Sequence, residues 1–395
     1  MKAGWQTKRL AELCEVFADG DWVESKDQSP LGIRLIQTGN VGQGIFKDRG
    51  EKARYISEET FKRLRCTEIF ECDCLISRLP DPVGRSCLLP DTGERMITAV
   101  DCTIVRFKRD QLLPEFFNFY SQSCDYLQDI ESETTGTTRK RISRSKLGEV
   151  KIPVPSLSEQ QRIVAILDEA FQCIATAKAN AEKNLQNARA LFESHLQAMF
   201  SQRGEGGEEK LLGEVCDLFQ GLAINAKSKH LLVTRSSLPL LRIKDLRNNT
   251  VEQYVAEEGY PPNSRVTESE IIYTRTGQIG LVFRGRSGVL HNNCFKVRPK
   301  TIVNNGYLFW WLQNPVFRNQ ITFLASKAAQ PDISHLLFKA EPILVPPLDR
   351  QIEIVETIEE LFVETQRLES IYLQKLTALD ELKKSLLGQA FRGEL

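Results

Sequence analysis

The chain contains an internal repeat, which limits its possible folds more than any other feature of the sequence. The segment that begins at Val154 (VPSLSEQQRIV) aligns with the segment at Val345 (VPPLDRQIEIV) at an offset of 345 − 154 = 191 residues. The same offset relates Phe200 to Phe391, so no residue is inserted or lost between these points. The two halves also begin alike (LAELCEVFADG and LLGEVCDLFQG), whereas the regions between differ in sequence and length. This pattern predicts a constant scaffold that carries two different variable regions.

The constant part of each half is predicted to be a long helix. No Pro or Gly occurs between Ser158 and Phe200, Ser158 and Gln161 have the spacing of a capping box, and Asp349 takes the cap position in the second half. Apolar residues at 4-3 spacing predict a heptad seam in each helix. The predicted seams are Ile163, Leu167, Ala170, Ile174, Ala177, Ala181, Asn184, Ala188, Leu191 and His195, and Ile354, Ile358, Leu361, Thr365, Leu368, Tyr372, Lys375, Leu379, Leu382 and Leu386. We expect antiparallel coiled-coil helices that join and separate two heads; a hairpin that only stabilises the fold is the alternative.

The variable regions are predicted to be α+β. Short β-type runs such as CLISRL, TIVRF, EIIYTRT and CFKVRP are separated by Gly, Pro and Asn turns. Each region closes with a predicted aromatic helix, from Pro114 to Ile130 and from Gly306 to Leu324. We interpret the aromatic residues of these helices as core packing rather than base-stacking platforms, namely Phe116, Phe117, Phe119, Tyr120, Trp310 and Trp311. The predicted domains are a variable region at 1–153, a long helix at 154–203, a Gly-rich linker with the second variable region at 204–344, and a second long helix at 345–395.

Positive charge is segregated within the variable regions. The chain has 52 basic and 52 acidic residues, a balance that alone argues against nucleic acid as a partner. However, no Asp or Glu occurs from Ile271 through Pro331, a stretch with eight Lys and Arg residues. The first half has a shorter equivalent, Thr134 to Gly148, which carries five basic residues and no acid. Basic loops interleaved with small polar residues are typical of phosphate contact and base-edge reading, although a single such stretch is also compatible with a solvated face.

The candidate DNA-contacting residues come from these loops and from two strand ends. Ser77-Arg78 and Thr274-Arg275 follow apolar strands at matching places in the repeat, and arginine there could contact guanine or phosphate in a bidentate manner. A structural salt bridge is an equally open interpretation of each arginine. The predicted DNA contacts are Ser77, Arg78, Thr137, Thr138, Arg139, Lys140, Arg141, Arg144, Thr274, Arg275, Gln278, Arg284, Arg286 and Lys327.

The sequence lacks the motifs of the common catalytic sites. It has no GxGxxG loop, no Walker phosphate loop and no HExxH, and its four histidines are scattered. The segment NPVF at Asn314 resembles the NPPF box of amino-methyltransferases, but it departs at the second Pro and lacks a glycine-rich loop upstream. We therefore expect no enzymatic activity, no cofactor and no metal on this chain.

The cysteines and the apolar runs indicate where the chain resides. The ten cysteines form no CxxC pair, so we interpret them as reduced thiols of a cytosolic protein. A zinc site made from Cys66, Cys72, Cys74 and Cys87 is the weaker alternative. No apolar run approaches the length of a membrane span, and the N-terminus lacks the apolar block of a signal peptide.

The chain resembles the specificity subunits of type I restriction-modification systems. The resemblance covers the whole chain and is carried by IPVPSLSEQQRIVAILDEAF, ILVPPLDRQIEIVETIEELF, the loop TTGTTRKRIS and the terminal SLLGQAFRGEL. It implies two target-recognition domains, each of which reads one half of a split DNA sequence, held apart by paired helices. It further implies two modification subunits that methylate adenine N6 and ATP-driven restriction subunits, with S-adenosylmethionine, ATP and Mg on these partners, in a prokaryotic cytoplasm.

The second half departs from the family pattern at two places. DRQ replaces the usual EQ helix start, and ASKAAQPDIS replaces the Gly-Thr-Thr loop, so an equivalent DNA contact by this loop is in doubt. Two other functions remain open. A DNA-binding adaptor of a different defence or partition complex would co-purify with no methyltransferase. A coiled-coil assembly protein without a nucleic-acid role is hard to reconcile with the acid-free stretch.

Overall fold

The computed structural model describes residues 4–136, 138–201, 207–327 and 331–395. Thr137, a predicted DNA contact, lies outside the described residues, and so do residues 202–206 of the predicted linker and 328–330 of the loop ASKAAQPDIS. The chain forms two compact units. The first unit ends at Glu182 and also includes Gln374–Leu395, and the second unit covers Lys183–Leu373.

The first unit contains three sheets. Its strands are β1 (Gln6–Arg9), β2 (Cys14–Asp19), β3 (Gln28–Ser29), β4 (Ile33–Ile36), β5 (Arg54–Ile56), β6 (Glu68–Ile69), β7 (Cys74–Ser77), β8 (Ser86–Leu88), β9 (Met96–Thr98), β10 (Cys102–Phe107) and β11 (Lys151–Val154). The sheets have the strand orders β2-β10-β7-β8, β3-β5-β4-β9-β6 and β1-β11. The helices are α1 (Glu58–Leu64), α2 (Pro114–Tyr120), α3 (Cys124–Glu133), α4 (Arg144–Glu149) and the long α5 (Leu157–Ser201), which continues into the second unit after Glu182.

The second unit repeats this topology strand for strand. Its strands are β12 (Glu208–Leu211), β13 (Cys216–Gln220), β14 (Leu232–Val233), β15 (Leu238–Leu241), β16 (Tyr254–Val255), β17 (Arg265–Val266), β18 (Ile271–Thr274), β19 (Val282–Phe283), β20 (Gly288–Leu290), β21 (Cys294–Pro299) and β22 (Pro342–Val345). The sheets are β13-β21-β18-β19, β14-β16-β15-β20-β17 and β12-β22. The helices are α6 (Leu212–Val215), α7 (Ile243–Asn248), α8 (Asn305–Trp311), α9 (Pro315–Ser326), α10 (His335–Lys339) and the long α11 (Leu348–Arg392), which continues into the first unit after Leu373. The predicted α+β class with an internal repeat and two long helices is confirmed.

Within each unit, α5 and α11 run antiparallel. In the first unit Arg162 donates to the backbone oxygen of Leu395 at 2.6 Å, and Lys178 forms an ion pair with Asp380. The partner residue in α11 therefore moves toward lower numbers as the residue in α5 moves toward higher ones. In the second unit Arg189 pairs with Glu369 at 2.9 Å, and Phe192 contacts Phe362 at 5.6 Å, so the direction is the same. The predicted antiparallel arrangement is confirmed within both units.

The inward-facing residues of the long helices differ from the predicted seams in the later part of each helix. Among the predicted seam positions, Asn184, Leu191, His195, Leu368, Lys375 and Leu382 are exposed. The buried or half-buried positions are instead Leu185, Phe192, Leu196, Leu376 and Lys383. The reason is geometric: an α-helix has 3.6 residues per turn, so a strict heptad drifts by about 20° every seven residues and its inward position moves by one residue.

The predicted starts of the two long helices also differ from those in the structure. Helix α5 begins at Leu157, and the hydroxyl of Ser156 accepts a hydrogen bond from the Glu159 amide at 3.3 Å, so the cap lies two residues before the predicted Ser158. Helix α11 begins at Leu348, which places Asp349 in the first turn rather than at the cap. The acidic side chain there still favours the positive end of the helix dipole.

A buried glutamine anchors each helix start. The Gln160 side-chain amide donates to the carbonyls of Gln111 and Pro155, and its oxygen accepts from the Leu113 amide at 2.8 Å. Gln351, its repeat partner, makes the equivalent bonds, with 2.7 Å from the Asn304 amide to its Oε1. Because both side chains are fully buried, each must satisfy its polar atoms internally, which ties the helix start to the loop before the aromatic helices.

Each predicted aromatic helix is two helices rather than one. The break between α2 and α3 comes where Ser123 caps α3, and the break between α8 and α9 comes where Asn314 accepts a hydrogen bond from the Val316 amide. Pro315 then takes the first helical position, where its missing N–H costs nothing. NPVF is therefore a helix start. The six aromatic residues assigned to the core are all buried, as predicted, and edge contacts such as Phe116–Phe391 at 5.3 Å connect them to the long helices.

Candidate nucleic-acid interface

The basic loop of the first unit is a short hairpin that leads into α4. The backbones of Thr135 and Arg141 exchange two hydrogen bonds of 2.9 Å. Gly136 makes the turn possible because its φ is +101° and a Cβ there would lie 2.5 Å from the carbonyl oxygen of Arg139. The Ser143 hydroxyl then accepts a hydrogen bond from the Lys146 amide and starts α4. The described basic residues therefore lie between the bridged pair Thr135–Arg141 and at the start of α4.

The cations of this hairpin are exposed, but each lies beside a carboxylate. Arg139 and Arg141 approach Asp101 at 3.9 and 3.1 Å, and Lys140 pairs with Glu131. Arg144 lies 4.0 Å from Asp19, and Thr138 is exposed. Surface ion pairs of this kind contribute only about 0–1 kcal/mol, so a phosphate can replace the carboxylate at little cost. The structure thus brings four of the predicted cations and Thr138 together on one hairpin and its following helix.

Ser77 and Arg78 lie inside the first unit rather than on its surface. The Ser77 hydroxyl donates to the Leu79 carbonyl at 3.1 Å. The Arg78 guanidinium lies 3.2 Å from Asp19 and donates to the Val100 carbonyl, and only 4% of the residue is exposed. Burial lowers the pKa of Arg78 below its ordinary value. The geometry favours the salt-bridge interpretation of Arg78; a contact with DNA stays a prediction.

The corresponding residues of the second unit are also engaged within the protein. The Thr274 hydroxyl donates to the Gln278 carbonyl at 2.5 Å, and Arg275 makes a two-pronged salt bridge to Asp332, with Nε–Oδ1 at 2.9 Å. Gln278 is exposed, and its side chain accepts a hydrogen bond from Arg247 at 2.8 Å. The loop after β18 is therefore held in shape from both ends.

The remaining predicted cations of the second unit are spread over separate surfaces. Arg284 pairs with Glu359 of α11 at 2.8 Å and stacks 4.3 Å above the ring of Phe309. Arg286 donates to Asn249, and the exposed Lys327 lies 4.7 Å from the ring of Phe323. The acid-free stretch therefore does not form one basic patch, and Arg284 is turned toward the long helix.

The sequence prediction missed a basic group in the first unit. Arg49, Lys52 and Arg54 line one small cavity between β4 and β5. In the sequence KDRGEKAR these residues alternate with Asp48 and Glu51, so a search for acid-free stretches passes over them. The signal available from sequence was the short spacing of the basic residues.

Among the residues that the structure describes, no group of three or more His, Cys, Asp or Glu side chains is placed to hold a metal. All ten cysteines are free thiols. Burial raises the pKa of Cys66 to about 11 and of Cys87 to about 12, which keeps both protonated and disfavours the thiolate that zinc requires. In the described part of the chain, no helix is long and apolar enough to cross a membrane.

Comparison with known proteins agrees with the duplicated architecture. A family model described as the type I restriction modification DNA specificity domain matches residues 2–187 and again residues 205–378. The chain is 23% identical over 310 residues to the specificity subunit of the type I restriction enzyme EcoBI of Escherichia coli, which is 70% of this chain and 65% of that relative. The chain thus covers less than two thirds of the length of this relative.

Two solved structures share the fold. One is described as showing complex assembly and conformational transition of a type I R-M system; the likeness has a TM-score of 0.84 at 18% identity and covers 100% of this chain and 99% of that one. The other is the HsdS subunit of Thermoanaerobacter tengcongensis, with a TM-score of 0.61 at 18% identity, covering 100% and 98%.

Proposed function

The chain belongs to the family of type I restriction modification DNA specificity domains, and we propose that it reads a split, asymmetric DNA sequence. Each unit would recognise one short segment of double-stranded DNA. The chain itself would carry no catalytic residue and would direct partner subunits that methylate adenine N6 or cleave DNA in a prokaryotic cytoplasm. S-adenosylmethionine, ATP and Mg would then act on those partners.

One observation carries this proposal. Two units of the same strand order use different loops on the same sheets: the segment between β4 and β5 spans residues 37–53, whereas the equivalent segment between β15 and β16 spans 242–253 and contains α7. A common frame with different loops is what two readers of different sequences require, because specificity comes from loop side chains and DNA shape.

For the first unit we assign DNA contacts to the hairpin and the start of α4. Thr138, Arg139, Lys140, Arg141 and Arg144 are all exposed there, and phosphate oxygens could displace the neighbouring carboxylates. For the second unit the exposed side chains of Gln278 and Lys327 are the better candidates. Ser77, Arg78, Thr274, Arg275 and Arg284 would instead support the loops, because each is engaged within its own unit.

The long helices would hold the partner subunits. Large apolar side chains lie exposed along them, although surface positions of a helix are normally polar. They are Leu191 of α5 and Leu348, Ile352, Phe362, Val363, Leu368, Ile371 and Leu382 of α11. Covering these residues with two modification subunits would remove the apolar surface from water, and restriction subunits would join the resulting complex.

The test is the methylated motif found in cells with and without this gene. We expect two short defined segments around an unspecified gap, with centres about one helical turn of DNA apart. Replacing residues 1–150 with the same region of a relative should change one segment and leave the other intact. A single continuous motif, or a replacement that changes both segments, contradicts the proposal. Purification of the chain without any methyltransferase would favour an adaptor of another complex.

A further inference from the structure

We propose that Arg49, Lys52 and Arg54 form a phosphate-binding site in the first unit, which holds the DNA backbone beside the sequence that this unit reads. This inference rests on the proposed function. It adds a site outside the basic hairpin, on the other sheet of the unit. The three residues line a cavity of about 160 Å³ in the segment between β4 and β5.

The neighbouring acidic side chain, Asp48, pairs with an arginine outside the proposed three-residue site. Arg34 lies buried at its floor and takes both Asp48 and Glu94 as partners, the latter at 2.8 Å. Asp48 therefore neutralises Arg34 rather than the adjacent Arg49. Within the described ranges of the chain, no carboxylate makes an ion pair with Arg49, Lys52 or Arg54, and all three are exposed. Like charges held this close gain from a bound anion.

The Arg49 side chain lies over the backbone at Gly39. A Cβ at Gly39 would lie only 2.2 Å from Nη1 of Arg49, which is the far end of a flexible side chain. The guanidinium therefore rests against Gly39, and it could move aside at little cost if another residue stood there.

The chemistry of the cavity favours phosphate over a base edge. The amide of Asn40 is already used, because its oxygen accepts from the Gln37 amide at 3.0 Å and its nitrogen donates to the Lys47 carbonyl at 3.0 Å. Apart from the half-buried Gln37, the remaining accessible polar groups of the lining are cationic donors, which suit a phosphate.

The second unit has no such site at the equivalent place. There Arg242 is held by Asp245 at 2.7 Å and by Glu252 at 3.0 Å, and Lys244 also pairs with Glu252. Arg247, the third cation of this segment, donates to the side-chain oxygen of Gln278, so each of its three cations has a partner within the protein. The proposed site therefore has no equivalent in the segment between β15 and β16.

The test is a salt titration of DNA binding by the full chain co-expressed with methyltransferase subunits. Log affinity falls linearly with log salt, and each phosphate contact that is lost makes this slope shallower by about 0.9. We expect the triple variant R49A/K52A/R54A to make the slope shallower by about two to three. The matched control K62A/R109A/K151A removes three exposed cations of the same unit and should leave the slope unaltered.

The outcomes separate the site from the proposed function. If the wild-type complex binds no DNA sequence preferentially, the proposed function fails. If it does, and the triple variant keeps the wild-type slope or falls no further than the control, the phosphate site is wrong. A changed methylation motif in the triple variant would also overturn it, since phosphate contacts carry no sequence information. Saturable binding of inorganic phosphate at micromolar concentration, with no effect on DNA, would assign the cavity to a free anion instead.

Discussion

Arg275 and Asp332 form a two-pronged salt bridge in the second unit, whereas Arg78, at the equivalent strand end of the first unit, pairs with Asp19. The carboxylate comes from different elements in the two units. Asp332 stands at the repeat position of Arg141, since 332 − 141 = 191. In turn, Gln220 takes the place of Asp19, because each pairs with the second residue of the central strand, Phe295 and Thr103 respectively. The acidic partner thus lies on strand β2 in the first unit and on the loop in the second unit, where it takes the position of Arg141.

This exchange explains why the two loops differ in charge. In the first unit the acid lies on β2, so the hairpin is free to carry arginine. In the second unit the loop itself supplies the acid that pairs with Arg275 at the strand end. The departure of ASKAAQPDIS from the family pattern is thus a compensated change.

We expect the pair Arg275 and Asp332 to be energetically coupled. Both side chains are mostly covered and joined by two hydrogen bonds, so loss of either leaves a poorly solvated charge. A double-mutant cycle of Arg275→Ala and Asp332→Ala in urea unfolding should give a coupling free energy of about 1–2 kcal/mol. The exposed pair Arg350 and Glu353 serves as the control and should give about 0.5 kcal/mol or less. Additive single effects at Arg275 and Asp332 would contradict this.

Replacing Asp101 with Asn should increase the affinity for all DNA. The carboxylate lies near both Arg139 and Arg141 and competes with phosphate for them. Its removal should raise affinity several-fold at about 0.1 M salt, and the gain should shrink as salt screens the charges. Binding to a non-specific duplex, measured by fluorescence anisotropy, checks this. Asp110→Asn removes an exposed charge elsewhere in the unit, and an equal gain from it would show that only net charge matters.

The repeat, the fold class and the aromatic core followed directly from the sequence because each depends on local pattern. The offset of 191 residues located both helices, and the aromatic blocks around Phe116 and Trp310 are buried as expected. The prediction of the inward-facing positions was wrong in the later part of α5, beyond Ala181. A small angular drift accumulates along a helix, and a count of heptads ignores it. The inward-facing positions depend on the partner helix as well as on the sequence of the helix itself.

The candidate site was harder to predict because charge depends on partners distant in sequence. Arg284 belongs to an acid-free stretch, yet Glu359 reaches it from 75 residues away. Conversely, Arg49 has an acidic neighbour in sequence, but Asp48 is drawn to Arg34. The local charge of the sequence therefore indicated a DNA contact at Arg284, which is paired within the protein, and gave no indication of one at Arg49.

Replacing Asp21 with Asn should stabilise the first unit more at alkaline than at acidic pH. Burial raises the pKa of Asp21 from 3.8 to about 6, although the Thr67 amide donates to its carboxylate at 3.0 Å. Because the folded state holds this proton more tightly than the unfolded state, the contribution of Asp21 is most favourable below pH 4 and is lost as pH rises through 6.

Urea unfolding at pH 4.5 and pH 8 measures this difference. The Asn variant should exceed the wild type by clearly more at pH 8 than at pH 4.5, since only part of the contribution of Asp21 is lost at pH 4.5. Its amide oxygen can still accept from the Thr67 amide at both pH values. The control Asp110→Asn, at an exposed site, should change neither value appreciably. A gain at pH 4.5 equal to that at pH 8 would rule out titration of Asp21 as the cause.

Charges placed on the exposed apolar surface of α11 should release the modification subunits. Val363 is 62% exposed and Ile371 is exposed eight residues later, on a similar face of the helix. The variant V363E/I371E should lose co-purification with the methyltransferase subunit while its circular dichroism spectrum stays unchanged. Gln366→Glu adds charge at an exposed position of the same helix and should keep the complex. Retention of the partner by V363E/I371E would place the docking surface elsewhere.

Matched insertions in the two long helices should lengthen the gap in the DNA target. The unit boundary falls after Glu182 in α5 and after Leu373 in α11, and each unit packs its own pair of helical segments, as Lys178 with Asp380 and Arg189 with Glu369. Four residues inserted at both points add about 6 Å, which is about two base pairs. Because neither helix pair is disturbed, the two segments of the methylated motif should persist while the gap grows by about two. Four residues inserted in α5 alone, near Ala181, would shift the register in which α5 pairs with α11. This variant should abolish methylation or alter the permitted gap. An unchanged gap in the matched variant would show that the helices do not set the spacing.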